Sequence, residues 1–198
     1  MAGRVGHEVK GRTMQLLGHR GAKGEAPENT IPGFEYAKHI PGLDAFEFDV
    51  HLAKDGTLVV IHDATVDRTT NATGPVAGFT AAELAALDAR AAFPDWPAPC
   101  GVPTLDQVLD VLADIPMMQI EIKTDTPDRL ERVVPLLLTT IHDRQMEEQV
   151  IITSFDPAAL AIVQRLEPDY PQRGYIGKWD SDDFLTQALA LGCTQANI

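Results

Sequence analysis

Glu47 and Asp49 stand two residues apart in a segment whose apolar positions alternate with them (Phe46, Phe48, Val50), and His62 follows after a Lys54-Asp55-Gly56 turn. Residues i and i+2 of a strand share a face, so the two acids point one way and the aromatics the other. Carboxylate oxygens select hard cations, and an imidazole beside them supplies a proton carrier near neutral pH. The stretch therefore reads as a hard-metal site with a proton carrier next to it; the competing reading is a surface hairpin with ordinary charges. Two further segments carry reactive side chains at strand ends. Gly18 and Gly21 flank His19 and Arg20, which lets a ligand or a neighbouring backbone come close. Gln119, Glu121 and Lys123 share one face of a second apolar run, with Ile120 and Ile122 on the other.

These residues need elements to hold them. Gly56 can take positive φ in the turn, so Thr57 to Ile61 runs back antiparallel to the acidic strand and brings His62 beside the carboxylates. Leu16 and Leu17 lead a short strand into His19. A helix follows from Ile31 to Lys38, with Asn29 or Thr30 as cap and Pro32 in the first turn. Strand, loop, helix and strand make a βαβ unit and imply a parallel sheet. Residues 64–103 are irregular apart from a Thr80–Glu83 capping box and a proline-rich connection over Phe93–Pro99, and suggest a lid or insertion. Helical and strand patterns then alternate to the last residue: a helix capped by Thr104, a strand from Met117, a helix from Pro127 to about Asp143, a strand from Gln149 to Phe155, a helix from Pro157, a strand from Arg173, a helix from Asp182 and a strand from Cys193.

Six parallel candidates begin near Leu16, Ala45, Met117, Gln149, Arg173 and Cys193. Polar residues recur near the C-terminal ends of several strands, where the chemistry of a (β/α)8 TIM barrel sits. A doubly wound sheet competes, yet the first strand lacks the glycine-rich dinucleotide loop. Six strands fall two short of closure, and an open barrel exposes two apolar edges. The expectation is an α/β fold of the (β/α)8 class, with the two C-terminal strands absent from this chain or supplied by something else.

The totals narrow the function. At 198 residues with 44% hydrophobic and 23% charged residues, the composition is that of a globular chain with one sizeable core. No run approaches the roughly 20 apolar residues of a membrane span, and Met1 to Gln15 carries no apolar signal core; a cytoplasmic setting is the expectation. Cys100 and Cys193 fit no metal or redox spacing and are expected to be buried. A net charge of −13 argues against nucleic acid or an anionic membrane surface as partner. It also means that an anionic substrate would need a local cationic centre, such as a divalent ion with Arg and Lys.

The motifs His19-Arg20-Gly21, Pro27-Glu28-Asn29-Thr30, Glu47-Phe48-Asp49-Val50, Lys54-Asp55-Gly56, His62-Asp63, Arg68-Thr69-Thr70 and Glu121-Ile122-Lys123, in this order and spacing, resemble the glycerophosphodiester phosphodiesterase family (a phospholipase C-like phosphodiesterase barrel). The resemblance runs from about Leu17 to Ile198. It implies a (β/α)8 barrel domain over 14–198 with a small insertion after the second strand, about 51–103, behind an N-terminal extension over 1–13. It implies that Glu47, Asp49 and Glu121 bind one divalent cation, Ca2+ or Mg2+; that His19 and His62 form an acid/base pair; that Arg20 and Lys123 surround the phosphate; and that Glu28 gives polar support. The implied reaction is hydrolysis of a small-molecule glycerophosphodiester to sn-glycerol 3-phosphate and an alcohol. The family pattern continues past the last residue of this chain.

Such a diester needs charge neutralisation, an activated nucleophile and a proton for the leaving oxygen. The vicinal glycerol hydroxyl could serve as an internal nucleophile and give a cyclic phosphate, because it is already positioned. Ser154 and Phe155 end a strand toward the site and are candidates for the substrate pocket. His51 lies past the expected strand end and is expected at the surface, His39 and His142 fall at helix ends where a cation complements the dipole, and Trp179 is expected in lid or core. A lysophospholipase D-like activity and a truncated, non-catalytic chain that binds metal or a partner are the alternatives; a homo-oligomer is left open.

Overall fold

The computed structural model describes residues 15–177 and 182–197. The expected extension over 1–13 and Trp179 lie outside the described residues. The elements run β1 (Leu16–His19), α1 (Ile31–Lys38), β2 (Leu43–Leu52), β3 (Leu58–Val60), a 3-10 turn (Val76–Gly78), α2 (Ala81–Ala85), α3 (Leu105–Val111), β4 (Met117–Ile122), α4 (Pro127–Asp143), β5 (Val150–Ser154), α5 (Pro157–Leu166), β6 (Arg173–Ile176), α6 (Asp182–Ala190) and β7 (Gln195–Asn197). Six strands pair in the order β1-β2-β4-β5-β6-β7, all parallel, and β3 hangs antiparallel on β2. Strands adjacent in the sheet are consecutive in the chain apart from β3, and a helix precedes each return to the sheet. This is the winding of a (β/α)8 barrel, present here in part.

The core lies between the sheet and its helices. Phe46, Phe48 and Val50 turn toward this layer, and Phe34 of α1 meets Phe46 and Phe48 edge-on, with ring centroids 6.1 and 5.6 Å apart. The other face of β2 is left for Glu47 and Asp49. Apolar alternation is thus what turns the acids inward. Helix α4 buries Leu130, Val133, Val134, Leu137, Leu138 and Ile141 on one stripe, at the helical period.

Local chemistry fixes the ends. Thr30, not Asn29, caps α1, its hydroxyl accepting from the Gly33 N–H at 3.1 Å. Thr80 and Thr104 each close a capping box, with Glu83 and Gln107. The segment between β2 and α3 is more ordered than its composition suggests. Ala53, Val59, Ile61, Val66, Val76, Leu84 and Val102 form a second, smaller core beneath it.

Two expectations are corrected. Strand β2 continues through His51 and Leu52, so His51 is buried rather than at the surface. Cys100 and Cys193 are free thiols and only partly buried. Among the described residues no helix is long and apolar enough to cross a membrane.

Candidate active site

The strand register assembles the site. His19 of β1 lies opposite Glu47 of β2, Asp49 of β2 opposite Glu121 of β4, and Glu121 opposite Thr153 of β5. Glu47, Asp49 and Glu121 are all buried, and each offers an oxygen within 4.8 Å of the others. Crowding acids out of water raises the free energy of their charged forms. Burial, then the charges of Asp49 and Glu121, push Glu47 up to about 8. Burial is also the main reason that Glu121 lies above the usual carboxylate range, with Lys123 opposing it.

Glu47 Oε2 and Asp49 Oδ1 are buried and make no hydrogen bond. Two orphaned carboxylate oxygens in one all-oxygen cluster fit a hard divalent cation, which would satisfy both and remove the repulsion. Two protein cations touch the cluster. Lys123 Nζ sits 2.6 Å from Glu121 Oε1 and 3.4 Å from Asp49 Oδ1, and Arg20 Nε lies 3.5 Å from Asp49 Oδ2.

The two expected histidines flank this cluster differently. His19 Nε2 is 3.6 Å from Glu47 Oε2, on a half-exposed ring. Burial, then the positive charges of Arg20 and Lys23, hold its pKa below the ordinary value, so the ring is neutral at pH 7 and can accept a proton. His62 donates from Nδ1 to Asp63 Oδ1 at 2.5 Å. The Ile61 N–H donates to the Asp49 carbonyl at 3.1 Å, which sets the next residue, His62, at the end of β2 that carries the acids.

Glu28 does not join the cluster. It accepts from Arg20 Nη1 at 3.1 Å and from both terminal nitrogens of Arg68 at 2.8 Å. Burial alone would raise its pKa, but the bonds from Arg68 and Arg20 outweigh it and leave the carboxyl below its usual range.

Phe155 is half-exposed, with its ring centroid 5.9 Å from Lys123 Nζ, at the edge of the site. Ser154 is not brought there. It faces the helix layer, where its hydroxyl donates to the Ile122 carbonyl at 2.7 Å and accepts from the Asp156 N–H at 2.9 Å. Thr153 is the residue in inward register, fully buried with an unpaired Oγ1. The alternation rule applied one residue earlier would have singled it out.

Two more residues belong here: Asn29, offered by the sequence only as a helix cap, and His51, expected at the surface. Asn29 adopts φ +54°, a left-handed conformation that Asn tolerates better than most residues. From it the side chain donates through Nδ2 to Asp49 Oδ2 at 2.9 Å. His51 shares the Glu47 and Asp49 face of β2, and its Nε2 meets the His62 carbonyl at 3.2 Å. Burial holds its pKa down, so it is a neutral donor bracing the His62 backbone.

Comparison with known proteins supplies the family. The model of the glycerophosphoryl diester phosphodiesterase family matches residues 19–196. A glycerophosphodiester phosphodiesterase of Caldanaerobacter subterraneus subsp. tengcongensis is 41% identical over 157 residues, covering 77% of this chain and 63% of that protein. One from Bacillus altitudinis is 37% identical over 156 residues, covering 78% and 63%. The chain therefore spans a little under two thirds of the length of these curated relatives.

Among solved structures, a glycerophosphodiester phosphodiesterase from Agrobacterium tumefaciens superposes with a TM-score of 0.76 at 31% identity, covering 91% of this chain and 74% of that one. An Oleispira antarctica phosphodiesterase, in complex with the product sn-glycerol-3-phosphate, gives a TM-score of 0.83 at 26% identity over 92% and 74%. With sheet order, carboxylate cluster and family model in agreement over nearly its whole length, the chain belongs to the glycerophosphoryl diester phosphodiesterase family.

Proposed function

We propose that this chain carries the site of a metal-dependent hydrolase that converts glycerophosphodiesters to sn-glycerol 3-phosphate and an alcohol. One observation carries the reading: three buried carboxylates, two with orphaned oxygens, converge on one face of the sheet with the His19 imidazole 3.6 Å away. The product held by the Oleispira antarctica relative supports the substrate class. Glu47, Asp49 and Glu121 hold one Ca2+ or Mg2+, which when bound polarises the phosphoryl oxygens and neutralises charge.

The remaining roles fall to side chains of this chain. Arg20 and Lys123 counter the phosphate charge in a protein whose net charge is −13. His19, neutral at pH 7, takes the proton of the glycerol 2-hydroxyl as that oxygen attacks phosphorus. The bond to the leaving alkoxide breaks, and His62 donates its proton there. The cyclic phosphate is then opened by water: His62, now neutral, takes the water proton, and His19 returns its own to the 2-oxygen. Phe155 lines the approach to Lys123. The test is hydrolysis of glycerophosphocholine with and without chelator, on wild type and His19→Ala. Loss of turnover in both chelator and variant is expected; turnover that survives chelation would refute the reading.

A further inference from the structure

Arg68 lies in the loop after β3 with 46% of its side chain exposed, yet its guanidinium is fully engaged. Nη1 and Nη2 donate to Oε2 and Oε1 of Glu28, both at 2.8 Å, while Nε and Nη2 donate to Oδ2 and Oδ1 of Asp63 at 2.6 and 3.2 Å. Each carboxylate also has a partner deeper in the site: Arg20 on Glu28, and Nδ1 of His62 on Asp63. One planar fork thus ties the loop between β1 and α1 to the loop that carries His62. Bidentate geometry of this kind is what arginine offers and lysine does not. An exposed ion pair by itself contributes little stability, so its consequence here is geometric.

Asp63 is the pivot. The bond from Arg68 holds its carboxyl down to about 2, against burial and with help from His62. An ionised carboxylate only accepts. Nδ1 of His62 therefore carries the proton in that contact, and Nε2 is the nitrogen left for exchange. The His51 contact to the His62 carbonyl braces the backbone of the same residue.

We propose that Arg68 is a positioning residue for His62: by clamping Glu28 and Asp63 together it keeps Asp63 on Nδ1 and so reserves Nε2 for proton transfer. The proposal rests on the acid/base role given to His62 above. The molecule supplies its own comparison in Arg144, which follows α4. That residue donates to Asp106 of α3 at 2.8 Å and to Asp110 at 2.7 Å, an equally dense clamp that touches no site residue.

Two readouts test it, one independent of turnover. In proton NMR of the metal-free chain, the Nδ1–H signal of His62, assigned by its absence in His62→Ala, is expected in wild type and Arg144→Ala. It is expected to vanish or broaden in Arg68→Ala. In glycerophosphocholine hydrolysis, Arg68→Ala is expected to lose about 10- to 100-fold in kcat, the size known for removing a supporting partner of a metal-bound imidazole and taken as the scale for His62, with KM changed less than about threefold. Arg144→Ala should keep kcat. Arg68→Lys, which keeps the stem and the charge but not the fork, should lose part of kcat and serves if Arg68→Ala does not fold. A retained Nδ1–H signal in Arg68→Ala, unchanged kcat in both Arg68 variants, or equal loss in the Arg68 and Arg144 variants would overturn the proposal. If wild type hydrolyses no glycerophosphodiester, the functional reading fails while the NMR comparison still decides the positioning claim.

Discussion

Asn29 donates through its side-chain amide to Asp49 Oδ2 at 2.9 Å, from a backbone held at φ +54°. The loop after β1 thereby orients a carboxylate on β2 and occupies one of its oxygens. The other oxygen, Oδ1, is left without a hydrogen bond.

Asn29→Ala should lose about 1–3 kcal/mol of stability, since it strips a charge-assisted bond from a buried group, and should weaken cation binding. Asn29→Gly accepts the backbone conformation without strain, so it isolates the amide's share. Thermal unfolding and calorimetric cation titration of both variants check this. Wild-type melting and affinity in Asn29→Ala would show that the contact is idle.

Glu47 gives the metal-free chain a defined pH dependence. Its folded pKa, about 8, lies above the ordinary 4.5, so the folded state binds the proton more tightly than the unfolded state does. Its contribution is fully present below pH 4.5 and is lost as pH rises through about 8. In chelator, the melting temperature should fall between these limits, and Glu47→Gln should flatten the fall and melt higher at pH 8. Added cation should oppose the wild-type loss. A melting curve with no pH dependence in this window would contradict the assignment.

His19→Ala and His62→Ala should each lower kcat by about 10²- to 10⁴-fold, the usual worth of one positioned proton transfer. Neither should change cation affinity by much, because neither offers an atom to the carboxylate cluster. Steady-state rates and cation titration on the same preparations separate the two effects.

A diester without the glycerol 2-hydroxyl has no internal nucleophile. Such a 2-deoxy analogue should turn over far more slowly than glycerophosphocholine, and phosphorus NMR of the normal reaction should reveal the cyclic phosphate. Equal rates on the two substrates would remove the cyclic step and leave direct attack by water.

Phe34→Ala tests the layer beneath the site. Removing a fully buried ring that meets both Phe46 and Phe48 should cost about 3–5 kcal/mol. The strand that carries Glu47 and Asp49 should loosen with it, seen as faster amide exchange along β2.

The parts of this molecule set by period were readable in the sequence. Alternation in β2 and β4 placed Glu47, Asp49 and Glu121 on one face, and the capping residues Thr30, Thr80 and Thr104 marked helix starts. What escaped depends on facts that no local pattern carries. The end of β2 is set by pairing with β3, so His51 was misplaced by a strand two residues too short. Ser154 and Thr153 differ by one step of phase, and only the pairing of Glu121 with Thr153 tells which faces inward. Asn29 acts through a left-handed backbone, and Arg68 through a long side chain that reaches Glu28 from 40 positions away.

Calorimetric titration of Ca2+ and of Mg2+ into the metal-free chain, wild type against Glu47→Gln, Asp49→Asn and Glu121→Gln, is the most direct test of the central claim. One ion per chain in wild type, with binding lost in all three variants alongside glycerophosphocholine hydrolysis, is the predicted result. Undiminished binding in any of the three, or hydrolysis that persists without a bound ion, would contradict it.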